Sequence, residues 1–379
     1  MGSNPISATI FNMNILGIET SCDETAIGII EVKKTKAGFF INPLSSAISS
    51  QIKIHKKYGG IVPMLANREH TKNIPIVFKK AIKKAFGSEK DISKIDLIAV
   101  TKGPGLILSL LIGVNFAKTL SWLSEKPIIG INHLEGHLFS FLLPKENNKY
   151  QFSIDSYQKI FPAICLLVSG GHTQLVYIKK FGSYNIIGET RDDAAGECFD
   201  KGARILGLDY PGGPVIAAQA LKNKKQSLNS QIVSLPRPMI NSQDYDFSFS
   251  GLKTALLYLT QKINFKKKKQ KLRPILSYEL QEAITDVLVK KTIKAAQEFK
   301  AKSIILAGGV SANQRLREKF KETLKKKEIN NINFLTPLLE YTTDNAIMVA
   351  LAGFFQYLNN SEKKSWDWKK IQVETNLRL

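Results

Sequence analysis

The sequence predicts an α/β fold of two duplicated lobes, and three observations carry that expectation. Residues 14–32 (NILGIETSCDETAIGIIEV) and residues 162–178 (PAICLLVSGGHTQLVYI) share one plan: an apolar strand, a small polar turn and a second apolar strand. Each hairpin is followed by a buried strand running through glycines into a helix, at 96–118 (DLIAVTKGPGLILSLLIGVNFAK) and at 303–320 (SIILAGGVSANQRLREKF). A chain of 379 residues with 44% apolar side chains also exceeds the size at which one core divides into two. Together these predict a repeated α/β unit facing itself across a cleft.

Taken in chain order, residues 1–13 read as an N-terminal extension. The first twelve carry neither Lys nor Arg nor an apolar block, unlike a secretory signal, and Met13 offers a second start. The first lobe is placed at 14–155 and the second at 156–340. A C-terminal helix and tail at 341–379 are expected to pack back on the first lobe. Residues 145–159 read as a linker or insertion, residues 222–225 as an unusually polar segment, and KKKKQK at 266–271 as a solvated basic run. Apolar spacing at Leu280, Ile284, Val287, Leu288 and Ile293 predicts a long helix over 276–299. Another apolar helix is expected at 345–358, and Ser311 with Gln314 reads as a capping box for the helix after the second glycine turn.

Charge narrows the function classes. Lysine plus arginine number 54 against 32 acids, a net charge of +22, which points to a polyanionic partner such as nucleic acid or to a Lys-rich solubilising surface. The most apolar stretch, residues 106–114, falls short of the about 18 residues a membrane span needs, so no membrane association is expected. Three cysteines, Cys22, Cys165 and Cys198, without CxxC spacing form neither a disulfide framework nor a zinc knuckle, and a cytoplasmic setting fits.

Several residues carry candidate chemistry. In NHLEGH, His133 and His137 stand four apart, one helical turn, which suits a shared metal ion but equally two ordinary helical histidines. A zinc protease of the HExxH type needs its glutamate directly after the first histidine. Glu135 comes one residue later, about 200° around the helix from His133, and points away from the metal face. Asp344 is the candidate third ligand, with helix N-capping as its competing role. Ser169-Gly170-Gly171-His172-Thr173 places bare backbone N–H groups in a tight turn and resembles the phosphate hairpin of actin-like ATPases. The turn 307–313 (AGGVSAN) joins a strand to a helix where Asn313 could hydrogen-bond a nucleoside. Neither turn fits GxxxxGK[ST] or GxGxxG. Residues 191–201 concentrate carboxylates, of which Asp200, with the Gly213 turn, is the better candidate for a ribose or cation contact. Asp23 sits at the tip of the first hairpin, where it could accept a proton or steer a cation. Cys22 beside it reads as packing.

Taken together, ETSCDET at 19–25, NHLEGH at 132–137, LLVSGGHTQL at 166–175, DDAAGECFDKGARILGLDYPGGP at 192–214, FSFSGLKTAL at 247–256 and AGGVSANQRLR at 307–317 closely resemble the bacterial and organellar TsaD family of tRNA threonylcarbamoyladenosine synthases. The likeness runs from about residue 14 to 344, with the motifs in family order. It implies an actin-like ATPase (ASKHA) fold with a nucleotide cleft, and a metal on His133, His137 and Asp344, with Fe(2+) favoured and Zn(2+) the alternative. By the same resemblance Leu167, Val168, Ser169, Gly170, Gly171, Asp200, Gly213 and Asn313 contact the adenylate of threonylcarbamoyl-AMP, with ATP or ADP able to use the same cleft. Asp23 is the choice for a catalytic role. The partners implied are tRNA, a paralogous actin-like subunit of the TsaB type and a small ATPase of the TsaE type, or a second copy in a homodimer. The rival readings are a metalloprotease, a non-catalytic nucleotide-controlled module that grips tRNA or DNA, and an actin-like sugar kinase, for which no sugar-binding aspartate can be assigned.

Overall fold

The computed structural model describes residues 11–35, 38–144, 150–152, 159–180, 182–224, 234–263, 265–326, 331–359 and 367–379. Residues 1–10 of the extension expected at 1–13, most of 145–159 and residue 225 lie outside the described residues; residues 11–13 belong to the first strand and 222–224 to a helix. The chain divides into two compact units, one drawn from Met1–Gln51, Ile61–Lys159 and Pro337–Leu379, the other from Ile52–Gly60 and Ile160–Thr336.

The first unit is built on a six-stranded sheet. Its strands are β1 (Phe11–Glu19), β2 (Glu24–Thr35), β3 (Gly38–Ser50), β4 (Leu97–Gly103), β5 (Ile128–Asn132) and β6 (Tyr150–Phe152), in the order β5-β4-β1-β2-β3-β6. The strands β1, β2 and β3 form an antiparallel meander, while β4 and β5 add in parallel beside β1. The second unit repeats this plan. Its strands β7 (Ala163–Val168), β8 (Thr173–Lys180), β9 (Ser183–Glu189), β10 (Ser303–Ala307) and β11 (Asn333–Leu335) lie in the order β11-β10-β7-β8-β9, again a meander with two parallel strands added. The duplication expected from the two hairpins is thus present in five strands of each unit, with β6 added at the edge of the first sheet. The central strands are buried on both faces, as β7 is along all six residues.

Two glycines seat the C-terminal helix of the first unit. Gly17 on β1 and Gly28 on β2 are register partners, and the helix Ala346–Asn359 crosses them. A Cβ on Gly17 would stand 2.0 Å from the Ala346 carbonyl oxygen, and one on Gly28 would stand 2.8 Å from the Ile347 nitrogen. The flat patch therefore fixes where the residues before this helix, including Asp344, meet the sheet. The hairpin turn after β1 is tied to the helix Ile107–Ser124 by Thr20 Oγ1, which donates to the Ser109 carbonyl at 2.9 Å.

Four details differ from the sequence expectation. The helix Ile107–Ser124 continues past residue 114 because Asn115 and Lys118 interrupt its composition without breaking its geometry. Among the described residues it is the one helix long and apolar enough to cross a membrane by length and composition. Val114 and Ala117 place it in the core of the first unit, beside Ile98 and Val100 of β4. The long helix of the second unit runs Lys269–Glu298, starting before Pro274, which its first turns accommodate. The helix Gln314–Lys326 is capped by Asn313, whose Oδ1 accepts from the Leu316 nitrogen at 3.0 Å, while Ser311 sits in a preceding 3₁₀ turn. A division of the chain at 155/156 would also leave Ile52–Gly60 in the first lobe. That segment belongs to the second unit, held by Arg204 Nη2 donating to the Gly59 carbonyl at 2.5 Å and by a Lys56–Asp209 ion pair at 2.9 Å.

Candidate functional site

In the first unit β5 ends at Asn132, whose side-chain oxygen accepts from the Leu134 nitrogen at 2.9 Å and so starts the helix His133–Phe139. His133 and His137 are buried, with their rings edge to face at 4.8 Å. Asp344 Oδ1 lies 3.2 Å from His137 Nε2 and 3.5 Å from His133 Nε2. One ligand atom from each of the three residues falls within 4.8 Å of the others. The capping role that competed for Asp344 is taken by its neighbour: Asn345 Oδ1 accepts from the Met348 nitrogen at 2.9 Å. Glu135 is turned to the Gln356 amide, which donates to its Oε2 at 2.8 Å, so the carboxylate that a zinc protease would need is engaged elsewhere.

A further carboxylate completes the cluster and escaped the sequence reading. Glu19, fully buried at the end of β1, has Oε2 at 2.9 Å from His133 Nδ1. Its oxygens also accept from the Ser21 nitrogen and from Thr101 Oγ1, each at 2.6 Å, and Ser21 Oγ lies 3.2 Å from the same His133 nitrogen. Burial works to raise the Glu19 carboxyl, but the charge and hydrogen bond of His133 hold it below its ordinary value. For His133, burial opposes the charged form, yet the Glu19 and Asp344 carboxylates outweigh it and push the imidazole up to about 9. His137 is lowered, first by burial and then by the neighbouring His133 charge, against the opposing pull of Asp344. Glu19 as an ionised acceptor makes Nδ1 of His133 the donor, which turns Nε2 toward His137 and Asp344. Two imidazole Nε2 atoms converging on one carboxylate oxygen, with the outer nitrogen of one ring held by a buried carboxylate, fit a divalent ion that takes nitrogen and oxygen ligands.

Asp23 is buried at the turn between β1 and β2, and its carbonyl accepts from the Gln51 nitrogen at 3.0 Å. Burial, a hydrogen bond with Asp23 and the surrounding acids push its neighbour Glu24 up to about 10, against a hydrogen bond from Ser50. Burial and nearby carboxylates raise the Cys22 thiol well above its ordinary value, which leaves it without thiolate character.

The remaining candidates all lie in the second unit. The tip of the β7–β8 hairpin is closed by the Ser169 nitrogen donating to the His172 carbonyl at 2.8 Å and by the His172 nitrogen donating to Ser169 Oγ at 3.1 Å. The helix Ala195–Ile205 starts against this tip, with the Gly196 nitrogen on the Ser169 carbonyl at 3.2 Å and the Ala195 nitrogen on Thr173 Oγ1 at 2.8 Å. Leu167 and Val168 are fully buried strand residues, so only their backbone can face a ligand. Asp200 Oδ1 accepts from the Gly212 nitrogen at 2.6 Å, which fixes the start of the helix Gly212–Lys224 and the place of Gly213. Asn313 has both ends engaged: Oδ1 caps the following helix and Nδ2 donates to Gln281 Oε1 at 3.0 Å. The exposed carboxylate of Asp192 accepts from Ser248, Phe249 and Ser250 at the start of the helix Ser250–Lys262.

The glycines here divide by what faces them. A Cβ on Gly196, Gly212 or Gly308 would lie 2.4 to 2.5 Å from a protein backbone atom, so these three are packing glycines. At Gly170, Gly171, Gly213 and Gly309 a Cβ would meet nothing within 4 Å. Those four leave bare backbone beside open space, which is what close approach of a phosphate or a nucleoside requires.

Comparison with known proteins agrees with these features. Residues 42–351 match the family model TsaD, tRNA N6-adenosine threonylcarbamoyltransferase. The tRNA N6-adenosine threonylcarbamoyltransferase of Thermosipho africanus is 46% identical over 367 residues, covering 97% of this chain and 100% of that protein. The enzyme of the same name from Persephonella marina is 47% identical over 348 residues, covering 91% and 90%. Among solved structures, HypF from T. kodakarensis aligns with a TM-score of 0.51 at 12% identity over 94% of this chain, and a full-length HypF in a phosphate- and nucleotide-bound form aligns with 0.53 at 12% over 92%. This chain spans about half the length of those two structures, 50% and 47%, and the likeness shows the fold, that of the actin-like ATPases. Near-complete coverage at this level of identity settles descent as well as architecture: the chain belongs to the TsaD family of tRNA N6-adenosine threonylcarbamoyltransferases.

Proposed function

We propose that this chain transfers the threonylcarbamoyl group from threonylcarbamoyl-AMP to N6 of the adenosine 3′-adjacent to the anticodon, in tRNAs that read codons beginning with A, and releases AMP. The observation that carries the reading is kinship over nearly the whole chain with enzymes named for this reaction. In the step, the N6 lone pair attacks the carbamoyl carbon, the bond from that carbon to the phosphate oxygen breaks, and AMP departs with the electron pair. The amine loses one proton, for which Asp23, buried at the turn between β1 and β2, is the proposed acceptor.

The donor's adenylate is assigned to the second unit: the open backbone of Gly170 and Gly171 for the phosphate, and Asp200 with Gly213 for the ribose side. Leu167, Val168 and Ser169 present the strand end that leads into this turn. Asn313, whose side chain is already bonded to Gln281 and to its own helix, serves by shaping the 308–313 turn against the adenine. His133, His137 and Asp344 would hold the metal, Fe(2+) in preference to Zn(2+), and such an ion supplies positive charge to a phosphate group that gains negative charge as it leaves. Glu19 keeps the His133 ring oriented for that purpose. A TsaB-type paralogue and a TsaE-type ATPase are the proposed protein partners, and the cytoplasm the proposed setting.

The test is nucleoside mass spectrometry after incubation of the chain with threonylcarbamoyl-AMP and unmodified tRNA, with and without such partners. Threonylcarbamoyladenosine should form on a tRNA reading ANN codons and not on one reading codons that begin with another base. Equal or absent modification of both would overturn the proposal.

A further inference from the structure

We propose that a basic strip on the second unit, running from Lys53, Lys56 and Lys57 through Arg204 to Lys269 and Arg273, is a contact surface for RNA phosphates, with Tyr58 as a stacking platform for an unpaired base. The proposal rests on the tRNA-modifying reading above and adds where on this unit the RNA is held.

Three parts of the chain that are distant in sequence build the strip. The segment Ile52–Gly60 brings exposed Lys53, Lys56 and Lys57. Arg204, exposed near the end of the helix Ala195–Ile205, donates through Nη2 to the Gly59 carbonyl at 2.5 Å and so joins that segment to the helix. Beyond it, Arg273 donates to the Leu206 carbonyl at 3.0 Å and to the Gly207 carbonyl at 3.2 Å, and Lys269 Nζ lies 2.6 Å from where a Cβ would stand on Gly207. Lys267, Lys268 and Lys271, beside Lys269 in the chain, are also exposed. A cavity of about 460 Å³ opens at the Lys53 to Arg204 end of the strip, lined by Lys53, Lys56, Lys57 and Arg204 together with Asp200 and Asp209.

The acids do not cancel this charge. Asp209 pairs with Lys56 at 2.9 Å, but it is one exposed carboxylate, and Asp200 is engaged with the Gly212 nitrogen. A concentration of like charge at one edge costs self-repulsion that a neutral surface would not carry, and a polyanion relieves it. Tyr58 decides for RNA over an acidic protein segment: a ring 60% exposed directly after two exposed lysines offers a face to an unstacked base, the usual mode of contact with single-stranded loops. An anticodon loop presents both features, phosphates at close spacing and bases free to stack.

The test is fluorescence anisotropy of labelled, unmodified ANN-reading tRNA with the full chain, titrated at several salt concentrations. The variants are K57Q/K269Q, Y58A and, on the helix Pro63–Phe86 of the other unit, K79Q/K80Q as control. All of these side chains are exposed, so the fold is expected to persist in each. K57Q/K269Q should lower the slope of log K against log salt by about 1 to 2, one phosphate contact per lysine removed. Y58A should weaken binding by about tenfold with its slope unchanged. K79Q/K80Q should leave both quantities alone. Slopes and affinities equal to wild type in K57Q/K269Q and Y58A would overturn the strip and make it a solvated face. Modified nucleoside formed by wild type in the mass-spectrometric assay separates that failure from a failure of the transferase reading, in which wild type makes none.

Discussion

Glu19 and His133 stand 114 residues apart in the chain and meet at 2.9 Å, Oε2 to Nδ1, in the interior of the first unit. That contact makes Nδ1 of His133 a donor and leaves its Nε2 facing His137 and Asp344. Every oxygen of Glu19 is matched to a donor, from Ser21, Thr101 or His133, so the carboxylate is held as firmly as the ring it orients.

Glu19→Gln replaces one acceptor oxygen by an amide of the same shape. The fold is retained, and affinity for a divalent ion falls by about 10- to 100-fold, the usual effect of removing an outer carboxylate behind a metal-ligating histidine. Competition against a chromophoric chelator measures it. Wild-type affinity in the variant would mean that Glu19 serves the fold alone.

Much of this cluster was legible before any coordinates. The turn-spaced pair His133 and His137 stood out among five histidines, and Asp344 was a candidate ligand on sequence that the resemblance then favoured over a cap. Glu19 was not legible, because a glutamate opening a polar hairpin tip looks solvated until β4 and β5 are stacked beside β1 and bury it. One cap, expected at Ser311 and found at Asn313, was misassigned for a related reason. Asp344 and Asn345, like Ser311 and Asn313, are neighbouring residues that can all cap, and only the exact first turn of each helix decides which does. The strand plan fared better, since both hairpins announce their period and their turns.

Gly17→Ala tests the seating of the C-terminal helix. The added Cβ would fall 2.0 Å from the Ala346 carbonyl oxygen, a backbone atom that moves only if the helix moves. Destabilisation of about 2 to 3 kcal/mol follows from such overpacking, read from the urea midpoint, together with weaker metal binding as Asp344 is displaced. Unchanged stability and metal affinity would contradict the packing described.

The open and packed glycines of the second unit predict opposite phenotypes. Gly171→Ala adds a methyl where nothing lies within 4 Å, so the melting temperature should hold, while affinity for an adenine nucleotide falls by about tenfold, or ~1.4 kcal/mol. Gly308→Ala places a side chain at φ 82° and 2.5 Å from the Val168 carbonyl oxygen, and should lower the melting temperature. Calorimetry and nucleotide titration of the two variants separate the cases.

Acid stability should depend on Glu282. This buried carboxylate accepts from Arg315 Nε at 2.7 Å and pairs with Lys319 Nζ at 2.8 Å. Burial alone would raise its pKa, but the hydrogen bonds and charges of those two cations hold it below the ordinary value. The folded state therefore binds its proton later than the unfolded chain, whose carboxyl titrates at about 4.3. The stabilisation is present in full above that pH and is lost as pH falls through the folded value. Glu282→Gln should cost about 3 kcal/mol at neutral pH and flatten the acid limb of the stability curve. Urea unfolding at a series of pH values measures both, and parallel curves for the two proteins would refute the role.

The most direct test of the central claim is a single-turnover measurement of threonylcarbamoyl transfer to ANN-reading tRNA by wild type and by Asp344→Ala, each with its metal content determined. The account predicts that the variant binds tRNA as wild type does, loses its divalent ion, and transfers at least about 100-fold more slowly. Wild-type transfer by an Asp344→Ala protein without metal would contradict it.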